Sequence, residues 1–168
     1  MDFRFRTVDS LNDLTLLKGF LLNNHLGYPR YDSWVEQVCI PDIENGWKTA
    51  ILAFYNGYLI GDAIYQQHKQ IPRTREFKNL RIHPLYRGRD IGHFLLRQVE
   101  EQEKEQFDRI LLDIDSRLNP TIIFLMQCGY KKIAGMPLYS PQNLDIIMVK
   151  ELKKMGPKRF EFEESNVQ

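Results

Sequence analysis

Hydrophobic positions change their period several times along the chain, and each change marks an element. Phe3 and Phe5 alternate with Arg4 and Arg6 over Phe3 to Val8, the period of two that a strand with one buried face requires. Asp9-Ser10 then offers a helix cap, with Asp13 three places after Ser10. Leu11, Leu14, Leu17 and Leu21 recur at helical spacing through Asn24. A turn-rich aromatic connection, His25 to Tyr31, leads to a second, short helix over Asp32 to Val38, capped by Asp32 or Ser33. Two strand-like runs, Thr49 to Tyr55 and Tyr58 to Gln67, flank Asn56-Gly57, the strongest short hairpin signal. Thr74 to Ile82 reads as a third consecutive strand. His93 to Gln106 reads as an amphipathic helix, with Phe94, Leu95 and Val99 on its apolar face and Glu100 to Glu105 in water. Arg109 to Asp115 alternates as a strand, Asn119-Pro120 opens an apolar helix that Gly129 ends, and Lys131 to Ile133 with Asp145 to Val149 make a final strand pair.

The junction from Leu80 to Leu96 carries the clearest chemistry. A strand ends at Leu80 and Ile82, His83-Pro84 stops it, and Arg87-Gly88-Arg89-Asp90-Ile91-Gly92 leads into a helix. The first amides of a helix have no intrahelical partner and sit at the positive end of its dipole, so an anion such as phosphate is their natural ligand. Arg87 and Arg89 add positive charge beside them.

Composition narrows the classes. A chain of 168 residues, 43% hydrophobic and 27% charged, suits one compact domain, expected over residues 1–152, followed by a charged tail over 153–168. A net charge of +1 argues against binding nucleic acid by neutralising phosphates. Cys39 and Cys128 lie far apart without CxxC spacing, which points to reduced, buried thiols, with no disulfide framework and no metal site. There is no secretory start and no apolar run long enough to cross a bilayer, so a cytoplasmic protein without a membrane segment is expected.

At the junction the chain resembles the GCN5-related N-acetyltransferase (GNAT) superfamily, whose acetyl-CoA motif reads Gln/Arg-x-x-Gly-x-Gly/Ala between a strand and a long helix. Arg87 takes the first position and Gly92 the last, while Asp90 stands where the family has its first glycine. An Asp tolerates left-handed backbone and can cap the following helix, but its carboxylate repels a pyrophosphate. The order of elements is also that of the superfamily, and Gly129-Tyr130 fits the Gly-Phe or Gly-Tyr pair that closes its fourth helix. The resemblance covers about Phe3 to Leu152. It implies an α/β (α+β) GNAT acyl-CoA N-acyltransferase fold, with a mixed central sheet flanked by helices. It further implies acetyl-CoA as co-substrate, held by the backbone of Leu80, Arg81 and Ile82 along the pantetheine arm, by Arg87, Gly88, Arg89, Asp90, Ile91 and Gly92 at the pyrophosphate, and by Asn119.

The reaction so implied moves an acetyl group to a primary amine of a small molecule or peptide, by direct attack in a ternary complex. An alkylamine is mostly protonated at neutral pH, with a pKa of about 10.4, so a base is needed. Some members of the superfamily place a glutamate eight residues before the proline of this junction, which here is Glu76. An ideal strand would set Glu76, Lys78, Leu80 and Ile82 on one side, and partial burial would raise the Glu76 pKa. His83 is a base by chemistry, but its place at the turn suits a surface histidine. The tyrosine that often protonates the leaving thiolate, four residues before the helix-closing glycine, is replaced by Leu125, leaving Tyr130 and Tyr139 as the nearest hydroxyls. Tyr28, Tyr31 and Tyr139, with Trp34, are expected to wall the acceptor site. A strand-edge homodimer is compatible with this fold. The alternative is a non-catalytic domain of the same fold, an acyl-CoA-binding regulator or interaction module, favoured by Asp90 and Leu125. An unrelated phosphate binder lacks support, since there is no Walker sequence and no GxGxxG after the first strand.

Overall fold

Asn56 and Gly57 both adopt left-handed backbone, with φ of 47° and 83°, the pair of conformations that a two-residue hairpin of type I′ demands. The turn joins β2 (Thr49–Tyr55) to β3 (Tyr58–Gln67), and β4 (Thr74–Ile82) follows antiparallel to β3. The structure is a computed structural model and describes residues 2–152, so the charged tail lies outside the described residues. Before the hairpin come β1 (Phe3–Thr7) and helix α1 (Leu11–Asn23), whose first turn is capped by Ser10 Oγ accepting from the Asp13 amide at 3.2 Å. After β4 come α4 (Ile91–Glu101), β5 (Arg109–Asp115), α5 (Asn119–Gln127), β6 (Lys131–Met136) and β7 (Asp145–Glu151). The seven strands form one sheet in the order β1-β2-β3-β4-β5-β7-β6, antiparallel except where β4 meets β5.

Two helical segments differ from the sequence expectation. The second helix continues past Val38 as α2 (Tyr31–Trp34), a π-helical turn at Val35–Cys39 and α3 (Ile40–Glu44), so Pro41 sits inside a helical run. A wide turn just before it leaves room for a ring that a regular α-helix would reject. Helix α4 begins at Ile91 and ends at Glu101, five residues short of the expected Gln106, because Gln102 turns extended and Glu103 is left-handed. That break lets Arg75 Nη1 take the carbonyl of Val99 and drops Phe107 into the core. Glu100, expected in water, is buried and accepts from Lys150 Nζ at 2.7 Å. Cys39 is buried as expected and Cys128 is only half-buried; both are free thiols.

The sheet separates two apolar layers. Leu95, Leu96 and Val99 of α4 and Ile122 and Leu125 of α5 pack with Ala63, Phe77, Ile110 and Met148 on one face. Leu14, Leu17 and Leu21 of α1, with Tyr31, Val35 and Cys39, pack with Leu52, Phe54 and Ile64 on the other. Two features of β4 position the site. First, its register against β3 slips between Phe77 and Asn79, leaving Lys78 as an extra residue in a bulge. Second, β4 pairs with β5 only at Thr74, Arg75 and Glu76, after which the two strands part. The two strands therefore splay apart beyond Glu76.

Candidate active site

One side of the splay combines an unpaired strand edge with the start of a helix. Beyond Glu76, the β4 edge that faces β5 has no ladder partner, so its backbone groups are available to a linear substrate arm. His83 Nδ1 accepts from the Leu85 amide at 3.3 Å and steers the chain into a short 3₁₀ turn, Pro84–Tyr86, which is the surface role that its position suggested. Arg87 Nε donates to the Ile82 carbonyl at 3.1 Å and ties the loop back to the strand. Gly88 is left-handed at φ 72°, and Asp90 follows at φ 58°. Asp90 occupies the N-cap position of α4 without a side-chain cap, so the expected capping bond is not formed. The consequence is that the first-turn amides of Ile91, Gly92 and His93 receive no side-chain acceptor. Arg87, Gly88, Arg89 and Asp90 are exposed around them. Asn119 opens α5 and is exposed.

The opposite face of the same strands is polar and crowded with titratable groups. The bulge at Lys78 reverses the expected alternation. Leu80 and Ile82 pack with the α4 layer, whereas Asn79 donates to Asp62 at 2.6 Å on the α1 side, and Glu76 takes Gln66 Nε2 at 2.8 Å there as well. Glu76 and Leu80 thus lie on different faces of β4, a correction that follows from one extra residue in the strand. Glu76 also forms an ion pair with Lys78. Burial pushes its carboxyl up, but the Lys78 ammonium and the Gln66 amide outweigh burial and hold it below its ordinary value. The upward shift expected of a base at Glu76 is therefore not found.

Asp113 meets that requirement instead. It stands on β5 two residues past Leu111, the partner of Glu76, and so at the mouth of the splay on the same face. Burial is the largest influence on its carboxyl and raises it, the Tyr139 hydroxyl and the Lys78 ammonium pull it down, and the nearby carboxylates of Asp145 and Glu76 push it up; the net shift is upward. The sequence signal was an acidic residue set between the apolar Leu112 and Ile114 of β5, which the period of two assigned to the strand without marking it as chemical. Tyr139 and Tyr28 come together as expected, ring centroids 5.2 Å apart and edge to face. Tyr28 also receives the Asp115 amide on its hydroxyl at 3.4 Å, which pins the α1–α2 loop across the end of β5; burial pushes its hydroxyl up to about 12. Between these tyrosines and Asp115, Arg117 and Asp145 lies a cavity of about 170 Å³.

Tyr31 does not join this wall. It is 3% exposed and belongs to the core layer under α1, because the helix begins at Tyr31 itself and turns the ring inward. Tyr130 is buried in the opposite layer beneath α5, and Leu125 fills the core beside it, so Tyr139 is the one hydroxyl of the two considered that faces the site. Among the described residues no cluster could hold a metal ion, and no helix is long and apolar enough to cross a membrane.

Solved structures share this fold. A GNAT-family acetyltransferase from Desulfovibrio desulfuricans superposes with a TM-score of 0.79 at 16% identity, covering 90% of this chain and 100% of that one. The ribosomal-protein-S18-alanine N-acetyltransferase of Escherichia coli gives a TM-score of 0.74 at 15% identity over 94% of this chain and 98% of that one. An aminoglycoside 6′-N-acetyltransferase complexed with coenzyme A gives 0.73 at 18% identity over 91% and 99%. At these identities the likeness is one of fold. No curated protein matches by sequence. The sequence model of the Acetyltransferase (GNAT) family matches residues 16–130, which covers the hairpin, the loop before α4, α4, β5 and α5. The chain belongs to the acetyltransferase (GNAT) family.

Proposed function

We propose that the protein transfers an acetyl group from acetyl-CoA to a primary amine, with Asp113 as the base. The observation that carries this reading is the coincidence, at one break in the sheet, of three features: an unpaired strand edge, an uncapped helix N-terminus flanked by Arg87 and Arg89, and a half-buried carboxylate raised above its ordinary range. The backbone of Leu80, Arg81 and Ile82 would hold the pantetheine arm, and the amides of Ile91 and Gly92 the pyrophosphate. Fixing the thioester beside the amine makes attack effectively unimolecular. The amine nitrogen forms a bond to the thioester carbon, Asp113 takes the amine proton directly or through one water, and the carbon–sulfur bond breaks. The thiolate, whose thiol has a pKa of about 8.5, is protonated from solvent, and Asp113 returns its proton to water. Tyr139 positions the Asp113 carboxylate.

Asp90 supports a second reading, a domain of this fold that binds acyl-CoA without catalysis, since it puts a negative charge at the N-cap of α4 without capping the helix. Titration calorimetry with acetyl-CoA, CoA and ADP tests both. Micromolar binding of acetyl-CoA and CoA with ADP much weaker, followed by thiol release with an amine, supports the transferase; binding without release from any amine supports the regulator. Absence of binding removes both.

A further inference from the structure

The loop between α1 and α2 supplies Leu26, Gly27, Tyr28 and Pro29 to the wall of the cavity beside Tyr139 and Asp145. Three hydrogen bonds tie it in place: the Tyr28 hydroxyl accepts from the Asp115 amide at 3.4 Å, the Tyr28 carbonyl accepts from the Tyr31 amide at 3.3 Å, and Nδ1 of His25 accepts from the Gly27 amide at 2.8 Å. The first two do not change near neutral pH, since a backbone pair has no proton to gain and burial pushes the Tyr28 hydroxyl up to about 12. The third depends on the state of an exposed imidazole. An Nδ1 that accepts from an amide carries no hydrogen, so the neutral ring holds its proton on Nε2, which lies 3.2 Å from Asp32 Oδ1. The ring also packs on Tyr31, with centroids 4.5 Å apart. The titratable groups that face His25 are thus Asp32 and Tyr31, both on α2; Asp32 is exposed, and burial pushes the Tyr31 hydroxyl up and keeps it neutral. Arg30, at the start of α2, is exposed as well. Protonation puts a hydrogen on Nδ1. The Asp32 carboxylate then attracts the cation and holds the ring at α2, while donor faces donor at Gly27. Turning the ring over brings no relief, because both nitrogens now donate.

Resting on the reading of this cavity as the acceptor site of a transferase, we infer that His25 is a positioning residue for the acceptor amine. The neutral ring holds the loop of Tyr28 against the cavity. Its protonation frees the Gly27 amide, loosens that wall and weakens acceptor binding, while CoA binding stays as it was.

Two variants of the full chain test this. His25→Asn keeps an acceptor that reaches the amide two residues on and does not titrate, whereas His25→Ala removes the acceptor at every pH. Solvent exchange of the Gly27 amide is followed by NMR at about pH 8 and about pH 5, on either side of the ordinary histidine range. In the wild type it should match His25→Asn at the higher pH and approach His25→Ala at the lower one. In parallel, thiol release is measured with spermidine, lysine, tyramine and an alanine tripeptide as amines. For an amine that is turned over, the wild-type KM relative to that of His25→Asn should rise about three- to tenfold between the two pH values, with the kcat ratio and the CoA affinity unchanged. The inference is overturned if wild type and His25→Asn keep the same Gly27 exchange at both pH values, or if their KM ratio does not change with pH. If CoA does not bind, the transferase reading fails separately. In that case, and for amines that are not turned over, the Gly27 amide alone decides what His25 does in the loop.

Discussion

Asp113 and Glu76 face the same groove, yet their neighbours drive them in opposite directions. Glu76 has a lysine and an amide to satisfy its charged form, whereas Asp113 has burial and two other carboxylates against its own. A base with a raised pKa is ionised only above that pKa, so kcat/KM should fall as pH drops through it. Asp113→Asn should remove that acidic limb and lower kcat/KM by about 10²- to 10⁴-fold, while Glu76→Gln should keep the limb and lose less than about tenfold. A pH-rate series on both variants decides between them. Asp62 offers a second titration with a different readout. It is fully buried, and burial raises its carboxyl to about 7 against the Asn79 hydrogen bond and the Arg81 charge. Between the unfolded value, about 3.9, and the folded one, the native state holds a proton that the unfolded state has released. Stability therefore falls as pH rises through that window, on the order of 1.4 kcal/mol per pH unit at most. Asp62→Asn should flatten this dependence, and thermal melts at pH 5 and pH 8 should show the variant gaining most at the higher pH.

At the scale of elements, the loop before α4 is the decisive piece. Gly88 is glycine where left-handed backbone is needed, but Asp90 adopts the same region at a cost of about 1 kcal/mol and returns no cap. Replacing it with glycine removes the strain and the like charge together. Asp90→Gly should raise the melting temperature by a few degrees and tighten acetyl-CoA binding, read by calorimetry. A weaker complex would mean that the carboxylate contributes to the site. The bulge in β4 is the other element-level device. One unpaired residue, Lys78, keeps Leu80 and Ile82 packed under α4 while leaving Arg81 and Asn79 on the α1 side.

Taken whole, the molecule is two blocks of sheet, β1–β4 and β5–β7 with β6, held together by three residue pairs and by packing. Arg75 reinforces the join: it is 1% exposed, its guanidinium lies between the rings of Tyr65 and Phe107, 4.5 and 4.3 Å from their centroids, and it bonds the end of α4. Below the join the strands diverge, and substrate would take the place of the missing ladder. Amide exchange in residues 77–82 that face the splay should therefore slow by an order of magnitude or more on adding CoA, with ADP having much less effect. Equal protection by ADP would place the binding energy in the phosphate loop alone.

Much of this architecture was legible in the chain itself. Periods of two and of 3.6, the Asn56-Gly57 turn, the Ser10 cap and the glycines after Arg87 are local signals, because backbone sterics and capping are decided within a few residues. They sufficed for the order of elements and for the turn that leads from β4 into α4. Three matters were decided only by tertiary structure. The Lys78 bulge moved Glu76 to a different face from Leu80, because register depends on what the neighbouring strand buries. The burial of Tyr31 followed from where α2 docks against the sheet. The standing of Asp113 came from Tyr139, Lys78, Asp145 and Glu76, residues remote in sequence whose approach sets the local field. Chemistry at a site depends on solvation and charge within a few ångströms, and that distance is fixed by packing, which no periodicity along the chain records.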